Sequence, residues 1–240
     1  MELAICSRHQ FPQLLGDAII AALQQEGSVC LASGDTPQLA YRYVAAQYQR
    51  HPFPLRATLV GLDEWVGFGP QDEGSCQYAM HHDLYQHLSL RPGQLRQFDA
   101  RRTGDALEEE CHRMNQLLAE QPLRLVLVGI GQNGHLGLNE PGVAFSSLAH
   151  VSNLSETTVR VAQKYFPQST TLRQGITLGI ANILASEKII AVANGAHKRD
   201  IIQRLLMTPP SETLPATSLK QHHNTQLLLD DAVFHVENIL

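Results

Sequence analysis

Hydrophobic and polar positions along the chain fall into two periods that alternate with each other. Three- and four-residue spacing of Leu14, Leu15, Ala18, Ile19, Ala22 and Leu23 predicts an amphipathic helix over 11–25, ended by Gly27. The short apolar run Ser28 to Ala32 predicts a strand, and Ser33-Gly-Asp-Thr-Pro37 turns from it into a second helix reaching about Gln49. Thr36 is placed to cap that helix, with Pro37 preorganised in its first turn. Ala57 to Leu62 reads as a strand, 75–88 as a helix and Leu95 to Phe98 as a short strand. A helix over 106–119 puts Leu107, Cys111, Met114, Leu117 and Leu118 on one face. Leu125 to Val128 is a run of Leu and Val with no polar break, the pattern of a strand buried on both faces. Segment 154–166 reads as a polar helix. Gly175 to Leu184 suits a buried helix or a strand, and periodicity does not choose between them. Lys188 to Ala193 is a strand, Asn194-Gly-Ala-His-Lys198 turns into a helix reaching about Leu206, and 209–215 is a loop. Gln226 to Leu229 is the last strand before a short tail. Strands alternating with helices predict a three-layer α/β/α fold, a Rossmann-like, mostly parallel sheet with helices on both faces. No linker, repeat or low-complexity tract divides 1–240, so one domain is expected.

Composition agrees and removes several function classes. The chain has 240 residues, 43% of them hydrophobic, enough for one large core. A formal net charge of −5 and the lack of any Lys/Arg cluster argue against a nucleic-acid surface. No run approaches the ~20 apolar residues of a membrane span. Met1-Glu-Leu-Ala-Ile-Cys6 does not read as a signal peptide. Cys6, Cys30, Cys76 and Cys111 lie far apart without metal spacing, as expected of reduced thiols in a cytoplasmic protein. The 12 histidines include the adjacent pairs His81-His82 and His222-His223, read as solvated surface.

Chemistry gathers where strands end. Four such places carry it: Ser33-Gly34-Asp35-Thr36; Asp63-Glu64; Gly129 to Gly134 with Asn133, His135 and Glu140; and Gly195-Ala-His-Lys198. In a parallel sheet these ends share one edge, where open α/β folds bind ligands. Gly131 and Gly134 allow sharp turns and close approach to a ligand. The turn at Gly34 presents backbone N–H groups and the positive end of a helix dipole, a ready anion site.

These residues resemble the glucosamine-6-phosphate deaminase/isomerase family, with its galactosamine-6-phosphate isomerase members and, more distantly, the 6-phosphogluconolactonases. The resemblance rests on Leu62-Asp-Glu-Trp-Val-Gly67, Gly129 to Gly142 with its Gly-His-x-Gly-x-Asn-Glu-Pro-Gly, Gly175-Ile-Thr-Leu-Gly179 and Gly195-Ala-His-Lys198. It runs from Leu31 to Leu229. Trp65 and Gly74-Ser-Cys76 look most like the galactosamine branch. The resemblance implies an enzyme that converts an aminosugar 6-phosphate to the ketose 6-phosphate and ammonia without metal or organic cofactor. It implies that His135, oriented by Glu140 and acting near its normal pKa, opens the sugar ring, and that Asp63 takes the C2 proton. The phosphate would lie on Gly34, Asp35 and Thr36 with Lys164 and Lys198.

Three positions depart from the family pattern. Asn133 stands where larger members carry aspartate; it can orient a hydroxyl or the imidazole but shares no charge with His135. Lys164 stands where arginine is common, and loses the bidentate fork. Asp35 replaces a small or hydroxyl residue in the phosphate turn, where two like charges ~4 Å apart repel by about 4 kcal/mol at a dielectric near 20. Either Asp35 points outward and helps cap the helix at Pro37, or it marks a changed substrate. Competing functions are a sugar-phosphate lactonase, with His135 activating water, and a non-catalytic sugar-phosphate sensor, a class that normally adds a DNA-binding segment. The short carboxyl end predicts a monomer or small homo-oligomer.

Overall fold

The computed structural model describes residues 1–233; from 234 on, the expected tail lies outside the described residues. In chain order the first half comprises β1 (Glu2–Cys6), α1 (Phe11–Leu23), β2 (Ser28–Leu31), α2 (Asp35–Arg50), β3 (Thr58–Gly61), β4 (Asp63–Trp65), α3 (Cys76–Asp83), β5 (Leu95–Arg96) and α4 (Asp105–Glu120). The second comprises β6 (Leu123–Gly129), β7 (His150–Asn153), α5 (Glu156–Ala162), β8 (Gln174–Thr177), α6 (Ile180–Leu184), β9 (Lys188–Ala193), α7 (Arg199–Met207) and β10 (Thr225–Asp230).

The Leu/Val run becomes β6, and the two-residue period of a strand divides it between two cores. Leu125 and Leu127 pack with Leu15, Ile19, Tyr41 and Val44 of α1 and α2. Val126 and Val128 pack with Met114, Leu118, Ile202 and Leu205 of α4 and α7. A strand with two apolar faces belongs in the interior, and β6 lies between β2 and β9. The sheet is parallel throughout, in the order β1-β10-β9-β6-β2-β3-β5. From β2 the chain steps outward through β3 and β5. It then returns to the other side of β2 at β6 and steps the opposite way through β9 and β10. This reversal between β2 and β6 opens a crevice at the carboxyl ends of the strands.

Three features differ from the sequence reading. Residues 2–6, not expected as a strand, form edge strand β1 on β10. The ambiguous segment 175–184 is both candidates in turn, strand β8 then helix α6. The break is Gly179, where a Cβ would lie 2.0 Å from the Ser147 carbonyl oxygen. Last, β4, β8 and β7 make a small antiparallel sheet of their own. There Asp63 pairs with Thr177, whose hydroxyl accepts the Leu138 N–H (3.2 Å) and donates to the Leu178 carbonyl (3.0 Å). The buried Asn139 amide donates to the Leu136 and Leu178 carbonyls, 2.8 Å each, fastening the histidine segment to the β8–α6 turn.

Candidate active site

The loops after β2, β3, β6 and β9 converge on one cavity of about 430 Å³. Gly34, Asp35, Thr36, Asp63, Gly131, His135, Lys164 and Lys198 line it; Asn133, Gly134 and Glu140 stand behind the wall.

At one end is a candidate anion site. Helix α2 begins at Asp35, two residues before the expected start at Pro37, because Gly34 turns the chain at φ 115°. That φ suits glycine alone. The N–H groups of Asp35 and Thr36 therefore belong to a first helical turn, which has no intrahelical acceptors for them. Thr36 does not cap the helix; its hydroxyl donates to Asn194 Oδ1 (3.1 Å) and ties the β2 loop to the β9 loop. Asp35 does not cap it either. Its exposed carboxylate is ion-paired with Lys164, on the 3₁₀ turn after α5, and the Lys164 ammonium lies 4.9 Å from the Tyr165 ring centroid. The like charge anticipated in the turn is thus matched by a cation. Lys198 donates to the Ile130 carbonyl, and burial pushes its pKa down to about 8, with the Lys164 charge acting the same way.

The adjacent carboxylates at the β3–β4 junction point to opposite sides, as successive strand residues must. Asp63 faces the cavity, and burial with the neighbouring Glu64 charge pushes its pKa up to about 7. Glu64 is fully buried and accepts the N–H groups of Trp65 (2.8 Å), Cys76 (3.0 Å) and Gln77 (2.8 Å), anchoring the start of α3. Burial pushes Glu64 up to about 7 as well, against the pull of those donors.

The imidazole departs from expectation. Burial pushes His135 down to about 4, well below its ordinary value, and Glu140 only partly opposes this. Glu140 does not orient the ring directly: its Oε2 lies 3.9 Å from His135 Nδ1, whereas Thr158 Oγ1 lies 3.1 Å away. Glu140 accepts instead from Asn133 Nδ2 (2.7 Å) and the Ser155 N–H (3.2 Å). Gly131 is needed for space, since a Cβ there would sit 2.4 Å from the His135 ring. Gly134, expected to let the turn approach the ligand closely, faces away. A Cβ on it would meet Leu214 Cδ1 at 2.2 Å, so its φ of 86° serves the turn and its packing.

Sequence reasoning missed Ser155, Thr158, Asn194 and Tyr165. Ser155 carried a signal, a serine before an acidic first turn, and it caps α5 by accepting the Thr158 N–H. Tyr78, His82 and Arg42 continue the wall outward. Of the histidine pairs read as solvated surface, His222 departs from that reading: it is buried, with its ring nitrogens 3.0 Å from Thr225 Oγ1 and 2.8 Å from the Ser186 carbonyl oxygen. Among the described residues no group of three His, Cys, Asp or Glu is placed to hold a metal. No helix among them is long and apolar enough to cross a membrane.

The family model described as glucosamine-6-phosphate isomerases/6-phosphogluconolactonase matches residues 8–229. A glucosamine-6-phosphate deaminase of Bacillus pumilus (strain SAFR-032) is 38% identical over 203 residues, 83% of each chain. Glucosamine-6-phosphate deaminase 1 of Bacillus subtilis (strain 168) is 35% identical over the same share. A solved monomeric glucosamine-6-phosphate deaminase superposes with a TM-score of 0.90 at 30% identity, over 97% of this chain and 98% of its own. The 6-phosphogluconolactonase of Trypanosoma brucei shares the fold, with a TM-score of 0.77 at 20% identity over 100% of this chain and 98% of its own. On the match across 8–229, this chain belongs to the glucosamine-6-phosphate isomerase/6-phosphogluconolactonase family.

Proposed function

We propose that the protein converts an aminosugar 6-phosphate, glucosamine 6-phosphate in the first instance, to the ketose 6-phosphate and ammonia. One observation carries the reading: a half-buried carboxylate with a pKa near 7 shares a cavity with a neutral imidazole and a two-lysine anion site. The phosphate sits on the first turn of α2, with Lys198 and, once released from Asp35, Lys164 as cations. His135 faces the sugar oxygens as the ring opens. Asp63 takes the proton from C2 and returns it to C1, and water then replaces the nitrogen at C2 as ammonia leaves. A carboxylate near pKa 7 is a stronger base than an ordinary one and is still ionised in part at neutral pH. Asn133 and Glu140 act from behind the wall, by placing what surrounds the imidazole.

The unpaired state of all four cysteines supports a cytoplasmic setting. The similarity to a solved enzyme described as monomeric supports a monomer. The test is ammonia release coupled to ketose-phosphate detection, with glucosamine 6-phosphate and galactosamine 6-phosphate side by side. Turnover of either, lost in Asp63→Asn, is the expected result. A folded protein that releases no ammonia from either, but forms acid from a sugar-phosphate lactone, would replace the deaminase reading with the lactonase one.

A further inference from the structure

The hydrogen bonds behind His135 form a closed chain in which each proton has one place to go. The backbone N–H of His135 donates to Asn133 Oδ1 (3.2 Å), which fixes the amide orientation. The opposite end agrees, because Nδ2 donates to the Glu140 carboxylate (2.7 Å) and to Ser155 Oγ (3.0 Å). Ser155 Oγ also accepts the Thr158 N–H (3.2 Å). A hydroxyl has two acceptor sites and one proton. Both acceptor sites on Ser155 are taken by groups that can only donate, so its proton goes to Thr158 Oγ1 at 3.2 Å. Thr158 Oγ1 then accepts from Ser155, and the partner left for its own proton is His135 Nδ1 at 3.1 Å. A ring nitrogen that accepts a hydrogen bond carries no proton, and a neutral imidazole then bears it on the other nitrogen.

We infer that Asn133, acting through the hydroxyls of Ser155 and Thr158, locks His135 in the tautomer protonated on Nε2, so that the imidazole meets the sugar as a hydrogen-bond donor. Asn133, Ser155 and Thr158 are positioning residues; none is asked to touch substrate. An aspartate at 133 has no proton for Ser155. The serine hydroxyl would turn towards that carboxylate, and Thr158 Oγ1 would be free to accept a proton from Nδ1–H. The one-atom difference between Asn and Asp therefore reverses the relay. The burial that holds the imidazole neutral suits the locked state, because a neutral donor supports developing negative charge on a sugar oxygen without first losing a proton. That last consequence rests on the proposed reaction. It places Nε2–H on the O1 oxygen while Asp63 withdraws the C2 proton. The tautomer itself does not depend on it.

The experiment is long-range proton–nitrogen NMR of histidine-labelled protein near pH 7.5, with His135 assigned by the signal lost in His135→Gln. The wild type is expected to show protonated Nε2 and bare Nδ1. Ser155→Ala, which strips Thr158 of its incoming proton, is expected to populate Nδ1–H, and Asn133→Asp to do so more completely. Thr158→Ser keeps the relay and is expected to keep the wild-type tautomer. With ammonia release as readout, Thr158→Val is expected to lower kcat roughly 10-fold with KM within about twofold, and Thr158→Ser to restore it. A wild-type spectrum with Nδ1–H would overturn the inference whatever the variants do. So would a folded Ser155→Ala and a folded Asn133→Asp that both retain the wild-type tautomer. An inactive enzyme with the expected tautomer would fault the proposed reaction and leave the relay standing.

Discussion

At the scale of single residues, two titrating groups bracket the working pH. In the proposed reaction Asp63 must be ionised to take a proton from carbon, and its pKa is pushed up to about 7 by burial and by Glu64. In the same proposal Lys198 must be charged to hold a phosphate, and its pKa is pushed down to about 8 by burial and by Lys164. We expect kcat/KM to rise through about pH 7 and to fall above about pH 8, with the alkaline limb abolished in Lys198→Met at a raised KM. The same Asp63 shift has a consequence for stability. An acid whose folded pKa lies above its unfolded value binds protons on folding, so its contribution to stability declines as pH rises from about 4 to about 7. The His135 shift acts the other way over 4 to 6.5, since burial favours its neutral form. The melting-temperature difference between Asp63→Asn and wild type isolates the carboxylate. The variant should gain on the wild type as pH rises from 5 to 8, and a difference flat in pH would contradict it. The candidate residues themselves were legible, because Asp, His, Lys and Gly at strand ends are conspicuous. Their partners were not. Thr158 reaches His135 from a helix 23 residues on, and nothing in a lone threonine announces that contact.

At the scale of elements, the meeting of α2 with the turn after α5 sets how strongly the anion site pulls. Asp35 and Lys164 are both about half exposed, so their pair adds little to folding stability. On the proposed function its effect is on the ligand, because Asp35 would compete with the phosphate for the same ammonium. Asp35→Asn should lower KM for the phosphosugar severalfold, about 1 kcal/mol, with kcat little changed and a steeper dependence on salt. An unchanged KM would mean that Lys164 does not reach the phosphate. Helices and long strands were readable because their apolar faces repeat over many residues. In the small sheet only β8 fell within a segment offered as a strand; β4 and β7 were not read, being three or four residues long and carrying polar positions such as His150 and Ser152. The start of α2 was misplaced by two residues. Capping preference pointed to Thr36 and Pro37, whereas the positive φ of Gly34 starts the helix sooner.

At the scale of the whole molecule, the cavity follows from strand order. Because the chain reverses direction between β2 and β6, their loops splay apart and leave the crevice that the β9 loop closes. The alternation of strands and helices made this layout foreseeable; the strand order and the second sheet were not, since pairing between distant segments leaves no local trace. We expect light scattering to give a mass near 26.5 kDa, that of one chain, and substrate saturation to be hyperbolic. A dimer mass or sigmoidal turnover would overturn the monomer reading.

Thr177 gives the two halves of the chemistry a common origin of measurement. Its backbone holds Asp63 in register, and its hydroxyl holds Leu138, three residues beyond His135. Base and imidazole are therefore surveyed from one benchmark on the small sheet, besides the large-sheet strands β3 and β6 that they follow. Moving the benchmark should blur both bearings at once. Thr177→Val keeps the shape and removes the hydroxyl, leaving the buried Leu138 N–H without its acceptor at a cost of about 1–3 kcal/mol. The expected signature is a fall in kcat larger than any rise in KM, because the first turn of α2 and Lys198 hang from β2 and β9, and only Lys164 of the cations is carried between the small-sheet strands β7 and β8.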